Sequence, residues 1–71
     1  MSMTELTKTA KTFFPLWLKE IVINDVRCTA MPEHFTGTVI GIREDAVLIR
    51  RNNNMTDWYM FQNSRITFYE K

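Results

Sequence analysis

Cysteine is nearly absent. Cys28 stands alone among 71 residues, so no disulfide can close within the chain. A single thiol suits a reducing compartment. Histidine is as scarce, with only His34. Without a Cys/His cluster there is no ligand set for structural zinc, and neither a metal nor a cofactor is expected. Glycine is limited to Gly37 and Gly41, too few for a phosphate-cradling loop. No apolar run approaches the ~20 residues of a membrane span. The start of the chain sets Leu6 and Ala10 among threonines and lysines, unlike the apolar centre of a secretory leader. The expected location is cytoplasmic. Neither sign of charge dominates: nine Lys/Arg face eight Asp/Glu, a net charge of +1. Nucleic-acid binding would therefore need a local basic patch rather than a global field.

These absences narrow the architecture. The length gives one domain, residues 1–71. So short a chain buries a modest share of its surface. With disulfides and metals excluded, self-association into a homo-oligomer is the support left over.

What is present is mainly β. Residues 35–49 read as two strands joined by a tight charged turn at Arg43, Glu44 and Asp45. Gly37 and Gly41 sit in the first of them. A glycine pair in a strand marks a sharp bend or a close backbone approach, as a very small barrel requires. Residues 2–14 read as an N-terminal α-helix. Ser2 and Glu5 have capping-box spacing, Leu6, Ala10, Phe13, Phe14 and Trp17 fall near one face, and Pro15 ends the run. Residues 16–70 carry the barrel. Residues 16–23 suit a strand or a second short helix, and the β-branched run Ile21, Val22, Ile23 favours strand. After a turn at Asn24 and Asp25, residues 26–31 alternate, with Val26, Cys28 and Ala30 to one side and Cys28 buried as a small hydrophobe. Pro32 and Glu33 mark another turn. Strands over 35–43, 46–51, 58–61 and 65–69 follow, with a polar loop at Asn52, Asn53 and Asn54. Several strands are apolar on both faces, so the N-terminal helix or a neighbouring subunit must cover the second one.

No residue set suggests catalysis. His34 lies in a turn without an orienting partner, and Glu44 and Asp45, being adjacent, project apart. The chain is not expected to be an enzyme. Basic and aromatic residues are more suggestive. Arg50 and Arg51 end a strand beside Asn53, Trp58 and Tyr59 follow, and Arg43 and Arg65 flank turns. Arginine binds phosphate bidentately, asparagine reads base edges, and aromatic rings stack on bases. These seven are the candidate nucleic-acid-binding residues. Five Phe, two Trp and two Tyr are a heavy load for this length. Phe13, Phe14 and Trp17 are expected to dock in the core, with a partner-binding patch as the alternative, and the remaining rings are available for a protein-binding or subunit surface.

The pattern resembles the Sm-like (Sm/Hfq-type) family over residues 26–70. Phe35, Gly37, Val39, Ile42 and the run 46–49 fit its first motif. Phe61 to Ile66 fits the spacing of its second, with Asn63 in the glycine position, where asparagine tolerates positive φ. The basic and histidine residues of the bacterial members are replaced by Gln62, Asn63 and Ser64, and Arg43 stands where an aspartate is usual. The resemblance implies a small SH3-like or Sm-like barrel of about five strongly bent antiparallel strands. It also implies rings formed by edge-strand pairing, and RNA or single-stranded nucleic acid as ligand. The alternative is an SH3-like protein–protein interaction module, an adaptor, inhibitor or assembly component, acting through its aromatic surface.

Overall fold

A computed structural model describes residues 3–71. The elements in chain order are β1 (Thr4–Glu5), α1 (Ala10–Phe13), a 3₁₀ turn (Phe14–Leu16), β2 (Glu20–Asp25), β3 (Glu33–Ile42), β4 (Ala46–Arg51), β5 (Thr56–Met60) and β6 (Ile66–Glu70). The six strands form one antiparallel sheet in the order β1-β6-β2-β3-β4-β5.

The local reasons are plain in the middle of the chain. Ile21, Val22 and Ile23 place β-branched side chains in β2, where the pleat suits them. The turn after β3 closes with the Arg43 amide donating to the Ala46 carbonyl at 2.7 Å. In the asparagine loop, Asn54 takes the left-handed conformation, with φ of 66°.

This single sheet curls tightly. β5 and β6 are separated by three intervening strands, so a flat sheet would set them about 19 Å apart. Yet the Tyr59 ring of β5 lies 6.4 Å from the Phe68 ring of β6. The inner face can therefore enclose one core, in which Ile21, Ile23, Val39, Val47, Ile49, Tyr59, Ile66 and Phe68 are buried. Two features help β3 bend. Its register with β4 slips between Val39 and Gly41, as a bulge. Gly37 faces the interior, where a Cβ would collide with Ile49 and crowd Ile23.

The N-terminal segment departs from the sequence reading. No helix spans residues 3–9, and Ser2 lies outside the described residues. Thr4 and Glu5 instead pair with Glu70 and Tyr69 of β6. The helix is a single turn that begins after Thr9, whose hydroxyl accepts from the Thr12 amide. Its many threonines favour extended chain, and an open β6 edge offers backbone partners that the capping box cannot outweigh. Phe13 then enters the core, 5.4 Å from the Phe61 ring and 5.2 Å from Phe68. So α1 joins the inner face, rather than covering the outer one.

Three further expectations change. Within residues 16–23, Leu16 ends the 3₁₀ turn, residues 17–19 form a turn, and β2 begins only at Glu20 and runs on through Asn24 and Asp25. Residues 26–31 form no strand, and Cys28 is exposed, because Asp25 binds the Arg27 amide and guanidinium and turns the chain outward. Asn63 is not in the positive-φ region; its side-chain oxygen accepts from the Arg65 amide at 3.0 Å instead. Among the described residues no helix is long and apolar enough to cross a membrane.

Candidate functional site

Alternation along β4 and β5 decides where the candidate residues go. Tyr59 falls on the inner face and is 1 % exposed, so its ring serves the core and is no platform for a base. Trp58, its neighbour, faces outward opposite Leu48. It is half-buried, and the Arg43 guanidinium lies 4.6 Å from its ring centre. Gly41 completes this spot, since a Cβ there would sit 3.4 Å from the Trp58 ring.

The arginines do not converge. Arg43 precedes β4, whereas Arg50 and Arg51 close it, about 16 Å further along the strand. Arg51 is engaged: it pairs with Glu33 and lies 3.7 Å above the Phe35 ring. Arg50 is exposed and lines a shallow polar cleft with Thr36, Thr38, Asn52, Asn54 and Glu20. Glu20 places a negative charge in the same cleft as Arg50. Asn53 uses its side-chain oxygen to accept from the Met55 amide. Arg65 is exposed beside the end of β2, where its carbonyl accepts from the Val26 amide. The structure brings together two pairs, Arg43 with Trp58 and Arg50 with Arg51 beside one cleft, and the seven residues form no single site. His34 is exposed on β3 opposite Asn24, not in a turn.

A charged group closes the end of the core nearest Phe35. Asp25 is buried and takes a two-pronged contact from Arg27. The Arg27 guanidinium lies 5.0 Å from the Tyr59 ring centre, and Asp57 is 3.8 Å from it. The hydrogen bonds from Arg27 hold the Asp25 carboxyl below the usual range, against the opposing effect of burial. Burial pushes the Tyr59 hydroxyl up. Every arm of this group is matched by an opposite charge or a ring, which suits a structural plug.

The third surface is the one the sequence reading assigned to the core. Of its three aromatic residues only Phe13 is buried; Phe14 is 63 % and Trp17 56 % exposed. Pro15 explains the split. It ends α1 and tightens the chain into a 3₁₀ turn, which rotates the residues after Phe13 away from the interior. Phe14, Trp17 and Ile42 bound an almost wholly apolar hollow of about 250 Å³. Leu18, the next residue along the chain from Trp17, is 59 % exposed. Its amide donates to the Val39 carbonyl at 2.7 Å, which fixes this segment to β3 just before the bulge. Leu18 has φ of 65°, a left-handed conformation in a non-glycine residue. The pattern of apolar residues left core docking and a partner-binding patch both open, because a docked and an exposed aromatic look alike in sequence. Pro15 was the available signal.

No family model, curated protein or solved structure matches the chain.

Proposed function

We propose that the chain is a small SH3-like or Sm-like barrel that works as a protein–protein interaction module, docking a partner polypeptide on Phe14, Trp17 and Leu18. The barrel reading is supported by the curl of the sheet, the bulge in β3 and the return of β6 to lie beside β2. The docking reading rests above all on Leu18. A left-handed leucine costs about 1–2 kcal/mol relative to an ordinary conformation, and its exposed side chain recovers little of that by burial. Folding alone would favour glycine there. Such a residue makes sense where the side chain meets something outside the chain.

Partner chemistry follows from the surroundings. The hollow has room for one Leu- or Phe-sized side chain. From Leu6 to Lys19 the chain carries Lys8, Lys11 and Lys19 and no acidic residue. A peptide with an apolar anchor flanked by acidic residues fits both features. Selection of random displayed peptides on the purified protein should enrich that motif. Trp17→Ala should then weaken an enriched peptide at least about tenfold, and Arg50→Ala should leave it unchanged. Enriched peptides that bind Trp17→Ala as well as the parent would overturn the reading.

A second reading, nucleic-acid binding, is favoured by one observation: the Arg43–Trp58 stack shares the outer face with exposed Arg50. A stacking platform with two cations suits a single strand. Titration of a labelled oligouridine separates the readings. Nucleic-acid binding would fall steeply between about 50 and 200 mM salt and would be lost in Arg43→Ala with Arg50→Ala.

A further inference from the structure

The two edges of the sheet are treated differently. β6 would be an edge strand, but β1 lies on it, with the Leu6 amide donating to the Phe68 carbonyl at 2.8 Å. Leu6 is itself part of the core, so that cover is anchored. β1 has only two residues, both exposed, and offers little to a further strand. The opposite edge is β5. It pairs with β4 over all five residues without a slip, and among the described residues no strand lies on its other side. Its sequence, Thr56-Asp57-Trp58-Tyr59-Met60, has no lysine, proline or glycine to blunt it.

We infer that β5 pairs with β5 of a second copy of this chain, giving a two-fold dimer with one continuous sheet. This goes beyond the docking reading and does not depend on it. A ring needs two different edges on each copy, here β5 and β1, and β1 offers only two residues to pair with. Isologous pairing of β5 needs only the open edge. The antiparallel register is set by symmetry and charge. With Trp58 opposite Trp58, Asp57 meets Tyr59 and Thr56 meets Met60, so all five residues pair. A register centred on Asp57 would set two carboxylates opposite one another. Half-buried Trp58 and Met60, 42 % exposed, then gain apolar neighbours on the outer face.

The test reads size alone, on the 71-residue chain freed of nucleic acid and without any peptide. Sedimentation across the micromolar range should give a monomer–dimer equilibrium. In a Cys28→Ser background, Trp58→Cys should be trapped almost completely as a disulfide-linked dimer under mild oxidation. Opposed residues of an antiparallel pair lie within reach of a disulfide. Thr4→Cys, on the short opposite edge strand β1, should not be trapped. If Trp58→Cys loses its circular-dichroism signature, the exposed pair Thr56→Cys with Met60→Cys tests the same register. A monomer at every concentration, an assembly larger than two, or folded cysteine variants that fail to cross-link would each overturn the inference.

Discussion

Leu18 and Gly37 are opposite cases of one rule, that backbone and side chain must agree. At Leu18 they do not, since the backbone is left-handed and the side chain reaches solvent. Leu18→Gly should relieve that strain, less the extra freedom glycine has when unfolded. The expected net gain is up to about 1 kcal/mol, or a few degrees in melting temperature, together with loss of affinity for docked peptide. A lower melting temperature would show that Leu18 contributes packing. At Gly37 the agreement is strict. Its φ is ordinary, so any side chain is excluded by space alone: a Cβ would strike Ile49 and sit 3.3 Å from the Arg50 carbonyl and from Ile23. Gly37→Ala should cost about 1–3 kcal/mol through overpacking. Gly41 is looser, with Leu48 at 3.0 Å on the outer face, so Gly41→Ala should cost clearly less in the same melt. Comparing the two melts checks whether the bend at Gly37 is set by packing.

At the scale of elements, α1 is too short to be stable by itself, since one turn forms few internal hydrogen bonds. Phe13 holds it, by burying its ring against Phe61 and Phe68. Phe13→Ala should cost about 3–5 kcal/mol, and urea unfolding should show it as a lower midpoint with unchanged slope. The same segment explains what could be read in advance. β3, its charged turn and β4 were legible because their signals are local: a glycine pair, three charged residues, an uninterrupted aliphatic run. The bounds of β4 matched in full. Residues 3–9 were not legible, because the deciding partner, the β6 edge, lies more than sixty positions away. Residues 26–31 failed for a different reason. Their alternation was genuine, but the Asp25–Arg27 contact turns the chain, and alternation carries no information about such a contact. The candidate site divides likewise. Trp58 and Arg50 could be placed outward once strand parity was fixed, and parity equally sends Tyr59 inward. The exposure of Phe14 and Trp17 depends on the rotation after Pro15.

For the molecule as a whole, a net charge near zero makes stability depend on where charges sit rather than on their sum. The Asp25–Arg27–Asp57 group closes one end of the core, and Asp25 is its buried member. Its carboxyl is held below the ordinary range by Arg27 in the fold and returns to about 3.9 when the chain unfolds. The unfolded state therefore binds the proton more readily. The stabilisation is fully present above pH of about 4 and disappears as pH falls through the lower, folded value. Tyr59 acts at the other extreme. Burial raises its pKa, so its contribution holds below pH of about 10 and fades as pH rises through the folded value. Stability should be level across neutral pH and fall on both sides. Asp25→Asn keeps the shape but removes the charge. It should cost about 1–2 kcal/mol at neutral pH, a modest figure because the Arg27 head is partly in water. It should also flatten the acid limb of the urea midpoint against pH, leaving the alkaline limb intact. An acid limb as steep as the parent's would mean that other carboxylates set the acid response, and that the plug is held by packing around Tyr59 rather than by charge.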